Sequence, residues 1–122
     1  MKISIFMLTT LISSAIALQQ FAELSFEKKT IKFPDSPEGV VLEHYLKYTN
    51  TGTAPLLFET YKVSCPCTKV ELPTSPIAPG QTDSLLITFD TKGKSYYQDR
   101  EIHIFSNTKK QVDKIRLKVF VK

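Results

Sequence analysis

Cysteine is scarce in this 122-residue chain: Cys65 and Cys67 are the only two, separated by Pro66. A closed structural zinc site wants four ligands, so the pair would have to draw two more from distant His or carboxylate groups. Histidine is equally rare, at His44 and His103, and the two methionines, Met1 and Met7, stand at the start of the chain. No methionine cluster is therefore available to hold a soft metal. The four glycines build neither a phosphate-cradling loop nor a Gly/Ser linker. There is no defensible Ser-His-Asp spacing, and no segment carries a 3.6-residue apolar stripe. Apolar runs stay short of the roughly 20 residues needed to span a membrane.

The N-terminus has a character of its own. Lys2 precedes an apolar run from Ile3 to Ile12, and Ala15-Ile16-Ala17 forms a small-x-small site. This pattern predicts a secretory signal peptide over residues 1–17, cleaved before Leu18. The protein is then exported, to the periplasm or the cell exterior, as one domain of residues 18–122, with no span in the mature chain. Without Lys2 the balance is 15 basic against 12 acidic side chains. So mild and dispersed an excess does not make a nucleic-acid footprint, which needs clustered Lys and Arg.

The mature segment reads as strands throughout. Leu24, Phe26, Ile31 and Phe33 mark a first extended stretch, broken at Lys28-Lys29. From Val40 to Asn50, Leu42, His44, Leu46 and Tyr48 share one face, while Glu43, Tyr45 and Lys47 point the other way. After the Asn50-Thr51-Gly52 turn, Leu56 to Val63 continues the pattern, followed by Lys69 to Leu72. Pro79-Gly80 predicts a type II turn, since proline pre-sets the first central position and glycine supplies the positive φ of the second. Leu85, Ile87 and Phe89 follow, then Ile102 and Ile104. The last strand sets Ile115, Leu117, Val119 and Val121 inward, and Lys114, Arg116, Lys118 and Phe120 outward. Those outward charges predict a protected sheet edge. Asp83, Asp90 and Asp99 are placed at strand ends or turns. About seven short antiparallel strands with turn signals at this spacing predict an all-β, immunoglobulin-like sandwich. Leu42, Leu46, Ile87, Ile104 and Leu117 are expected between the sheets.

Several blocks recur in one order: His44-x-Leu46-x-Tyr48-x-Asn50-Thr51-Gly52, Pro55-Leu56, Ser64-Cys65-Pro66-Cys67-Thr68, Pro76-Ile77-Ala78-Pro79-Gly80, Phe89-Asp90 and Ser106-Asn107. In these the chain, over residues 39–107, resembles the domain of unknown function 1573, a bacterial export-associated family. The resemblance implies a seven-stranded immunoglobulin-like sandwich akin to major sperm protein and Hydin-type domains. It implies export and transfers no established activity. Where that family usually has glycine between its cysteines, this chain has Pro66.

The cysteine pair admits four kinds of chemistry. Cys65 and Cys67 can form a local disulfide in an oxidising compartment or exchange electrons with a partner thiol. They can hold Cu(I) or another soft ion, or remain thiols without a role. Period-2 alternation puts His44 inside and His103 out of phase with Ile102 and Ile104, so no shared two-histidine site is expected. No catalytic residue, cofactor or resident metal is expected. The leading expectation is an exported non-enzymatic domain for protein interaction or a structural role. Soft-metal or thiol-redox handling through Cys65 and Cys67 is the alternative. Neither partner nor oligomeric state is readable.

Overall fold

Alternation along the chain becomes two facing sheets in the computed structural model, which describes residues 19–122. The expected leader, residues 1–17, and its cleavage site before Leu18 lie outside the described residues. The first sheet contains β1 (Leu24–Phe26), β3 (Val41–Asn50), β6 (Thr82–Asp90) and β5 (Thr68–Glu71), in the order β1-β3-β6-β5. The second contains β2 (Thr30–Lys32), β8 (Val112–Val121), β7 (Tyr96–Ser106) and β4 (Phe58–Val63), in the order β2-β8-β7-β4. This is the immunoglobulin-like sandwich expected from the turn spacing.

Each inward row is set by register. Leu42, His44 and Leu46 of β3 lie opposite Phe89, Ile87 and Leu85 of β6, and Ile102 of β7 lies opposite Ile115 of β8. Leu46, Leu85, Ile87 and Phe89 meet Ile102, Ile104, Ile115 and Leu117 between the sheets, all fully buried. Leu42 differs from expectation: it is only half-buried and packs at the margin of the core.

Three sequence expectations change in the sheets. The first extended stretch becomes two strands, because at Lys28-Lys29 the chain leaves β3 and crosses to β8; this makes eight strands. β2 runs parallel to β8, so the sandwich is not wholly antiparallel. The last strand is not an edge: β8 lies between β2 and β7. Its outward charges serve cross-strand pairing instead. Arg116 Nη1 meets Asp99 Oδ2 at 3.0 Å, and Arg116 Nη2 and Lys114 Nζ approach Glu101 at 3.7 and 3.8 Å. Asp99 is correspondingly a mid-strand residue of β7, opposite Lys118, and not a turn residue.

Two turns hold the ends in place. At Ala78-Pro79-Gly80-Gln81 the Gln81 N–H donates to the Ala78 carbonyl at 3.0 Å, and Gly80 has φ +79°, as a type II turn requires. The Asn50-Thr51-Gly52 corner is built around the fully buried Asn50 side chain. Asn50 Nδ2 donates to the carbonyls of Ala54 (2.8 Å) and Ile77 (3.0 Å). Its Oδ1 accepts from the N–H groups of Gly52 (3.0 Å) and Glu23 (3.3 Å). Glycine is needed at position 52 because a Cβ there would collide with the Phe21 carbonyl oxygen and the Glu23 nitrogen.

Candidate functional site

Cys65, Pro66 and Cys67 form the passage between sheets. β4 is an edge strand of the second sheet and β5 an edge strand of the first, so the chain must cross from one layer to the other here. The Thr68 N–H donates to the Cys65 carbonyl at 3.1 Å, which closes a β-turn with Pro66 at its first central position. Proline's fixed φ suits that position. Pro66 is not among the residues with positive φ, so this turn does not call for the glycine that the family usually has at that position. The Cys67 carbonyl accepts from the Asp90 N–H at 2.8 Å, and this ties the turn to the end of β6.

The two sulfurs lie within bonding distance of one another, and the Cα atoms are 5.1 Å apart. Both residues are half-buried, and Cys67 packs against the core. Among the described residues no group of three or more His, Cys, Asp or Glu side chains converges. A soft-metal site at this pair would need both cysteines in their reduced form, since the thiolate is the ligand.

The histidines are separated by the architecture. His44 faces inward from β3, with the Phe33 ring edge-on at 6.2 Å, and its Nε2 is buried without a hydrogen-bond partner. Burial, reinforced by the Lys28 charge, holds its pKa below the usual histidine value. His103 projects from the outer face of β7 and its Nε2 lies 2.7 Å from Glu101 Oε1. That hydrogen bond is the largest of the influences holding the Glu101 carboxyl below the usual range.

Arg100 is a residue that motif reasoning missed. It follows the inward phase of Ile102 and Ile104, and its guanidinium lies 5.8 Å from the centre of the Phe89 ring. Its Nε is buried without a partner, while Nη2 donates to Gln98 Oε1. Counting back by twos from Ile102 was the signal that could have found it.

The strand edges are the other feature with chemical consequence. β1 pairs with β3 only at Tyr48, Thr49 and Asn50, and the Glu27 N–H extends that contact to the Lys47 carbonyl. Among the described residues no strand covers Val41 to Leu46 on the side away from β6. Val41 and Tyr45 are well exposed there, at 59% and 63%. β4, by contrast, carries a bulge between Phe58 and Thr60, a feature that disrupts edge pairing. No described helix is long and apolar enough to cross a membrane.

Solved structures with this architecture come from varied proteins. An ASH/PapD-like domain of human CEP192 superposes with a TM-score of 0.68 at 13% identity, over 84% of this chain and 87% of that one. A protein of unknown function from Porphyromonas gingivalis W83 gives 0.67 at 20% identity, over 88% of this chain and 51% of that one. The Escherichia coli chaperone DraB gives 0.54 at 17% identity, over 83% and 55%. The chain thus spans about half the length of the last two. At these identities the likeness is one of fold. No curated protein matches the chain. The family model described as "Protein of unknown function (DUF1573)" matches residues 24–121, and the chain belongs to that family.

Proposed function

We propose that the chain is an exported, non-enzymatic interaction module that holds an extended segment of a partner protein against the uncovered edge of β3. The observation that carries this reading is the stretch Val41–Leu46, which pairs with β6 on one side and among the described residues has no strand on the other. Alternate residues of this edge, Val41, Glu43 and Tyr45, direct their backbone donors and acceptors away from β6 and toward an incoming strand, and alternate side chains beside them offer selectivity. Natural edges are usually blunted by lysine, proline or a bulge. Val41–Leu46 has no lysine, proline or bulge, Glu43 being its one acidic or basic charge, and it carries exposed Val41 and Tyr45. Among the proteins of similar fold, DraB is named a chaperone, which supports a role in protein interaction. In this reading export removes residues 1–17, and Cys65 and Cys67 are oxidised to one another in the periplasm or outside the cell, closing the turn between β4 and β5.

A photo-crosslinking side chain placed at Val41 or Tyr45 in the producing cell tests the reading. Adducts with another protein are expected there and not at Lys69 on the opposite edge. Adducts at neither position, or only at Lys69, would refute capture by β3. Tight one-to-one Cu(I) binding under reducing conditions, lost on double Cys→Ser substitution, would move the chain to the metal-handling class instead.

A further inference from the structure

Charge that is dispersed along the sequence is gathered by the sheets. The outer face of the second sheet carries Lys32, Lys62, Lys114, Arg116 and Lys118 against Asp99 and Glu101. The outer face of the first sheet carries Lys47 and Lys69 against Glu43, Glu71 and Asp90. With Glu59 of the β4 bulge, also exposed, counted among the carboxylates, the second sheet's face is positive by two charges and the first's negative by one.

Within the positive face, Lys32 and Lys118 are register partners of the parallel pair β2–β8, so two ammonium groups leave the same face side by side. Like charges directly opposite destabilise a sheet. Among the described residues neither lysine has an ion pair, because Asp99, the carboxylate beside Lys118, is held by Arg116 at 3.0 Å. Next to them the Tyr97 and Phe120 rings meet edge-to-face at 4.9 Å, and Tyr97 is 85% exposed. Lys32, Phe33, Tyr97, Lys118 and Phe120 line a groove of about 240 Å³ together with Asp35, whose single carboxylate leaves the two lysines in excess. Two unpaired cations therefore flank an exposed aromatic groove.

We propose that this groove is a docking site for an acidic peptide segment of a partner protein, with an aromatic or aliphatic side chain seated against Tyr97 and Phe120 and carboxylates on Lys32 and Lys118. Charge complementarity selects the acidic partner. The spacing selects an extended one: Lys114, Arg116, Lys118 and Phe120 alternate along β8, so consecutive members stand about 7 Å apart. That is also the spacing of side chains on one side of an extended peptide. The site is separate from the β3 edge and does not require it to be occupied.

The test is selection of a phage-displayed library of random dodecapeptides on the purified exported chain. Enriched peptides should combine Asp or Glu with an aromatic or aliphatic residue, and their binding should weaken as salt rises. Synthetic versions should lose at least tenfold in affinity for the K32E/K118E variant and severalfold for Y97A, with both variants melting like the parent. The Y45K variant on the β3 edge should bind them unchanged, so failure here and failure of strand capture are distinguishable. Neutral or basic consensus peptides, or binding indifferent to K32E/K118E, would overturn the proposal. So would binding of phosphatidylglycerol vesicles or a single-stranded oligonucleotide in place of acidic peptides.

Discussion

Asn50→Ala is the substitution that most directly tests how the sandwich is tied together. The side chain is fully buried and makes four hydrogen bonds, two given and two received. Those bonds join the segment before β1, the turn after β3 and the Pro76–Gly80 loop. Alanine removes all four, and the partners, buried at Ile77 and part-buried elsewhere, do not suffer equally. The Ile77 carbonyl keeps a bond from the Leu56 N–H at 2.8 Å. The Ala54 carbonyl and the Gly52 and Glu23 N–H groups lose theirs. A buried polar group left unsatisfied costs about 1–3 kcal/mol, and partial access to water at three such groups sets the expected loss at about 3–5 kcal/mol. For a domain near 100 residues this lowers the melting temperature by roughly 15–30 °C. Against a total stability of about 5–15 kcal/mol the variant should remain foldable at low temperature. Urea denaturation at 15 °C, followed by circular dichroism, measures the loss. A loss below about 1 kcal/mol would mean that water reaches these groups and that the corner does not tie the three segments together.

Leu46→Ala should cost about 2–5 kcal/mol by leaving a cavity in the packed core, whereas half-buried Leu42→Ala should cost under about 2 kcal/mol; equal losses in urea titrations would contradict the assigned depth of the two positions. Double Cys65→Ser, Cys67→Ser substitution should cost no more than about 1.5 kcal/mol, the size that chain entropy assigns to so small a ring, and a larger loss in the same assay would mean that the turn depends on the cross-link. His44 has a pKa below its unfolded value of 6.5 because burial favours the neutral ring. The unfolded chain therefore takes up the proton first, and the contribution of His44 to stability, complete above the unfolded pKa, is lost as pH falls from there through the lowered folded value. His44→Phe should flatten the decline in urea midpoint between pH 7 and pH 5, and an unchanged decline would show that position 44 does not titrate on unfolding.

Faces were readable from the sequence, and neighbours were not. Period-2 alternation placed Leu46, Ile87, Ile104, Leu117 and His44 inward because side-chain direction is a local property of a strand. The Pro79-Gly80 turn was equally legible, since backbone preference is local too. Which strand lies beside which depends on pairing between distant residues, and there local pattern failed. The outward row Lys114, Arg116 and Lys118 looks the same on an edge strand as on one whose neighbours supply Asp99 and Glu101. Asp99 was misplaced for a related reason: a lone carboxylate near Gly93 and Ser95 carries turn chemistry, and only its pairing opposite Lys118 reveals a strand interior. At the cysteines the sequence showed stiffness in Pro66 but not that the turn spans two layers. Whether it does so depends on β4 and β5 belonging to different sheets.

Both proposed surfaces descend from one local event, the break at Lys28-Lys29. Had the chain continued along β3 after Phe26, an antiparallel partner would have covered Val41–Leu46 and removed the free edge. It departs after the Glu27 N–H bonds the Lys47 carbonyl at 3.0 Å. Two adjacent lysines suit solvent and not a sheet interior, which gives a physical reason for departure at this point. On arrival in the second sheet the chain pairs in parallel with β8, Thr30 with Arg116 and Lys32 with Lys118. That register brings the unpaired ammonium groups together and sets Phe33 where it both meets His44 edge-on at 6.2 Å and lines the aromatic groove. The crossover thus uncovers backbone on one sheet and concentrates positive charge on the other. Core packing required only that Ile31 be buried, as it is at 1% exposure. Burying Ile31 dictates that its neighbours Thr30 and Lys32 face outward, but not that Lys32 stand beside another lysine. That juxtaposition costs the sheet stability and adds nothing to the core, which is the physical ground for assigning it to binding.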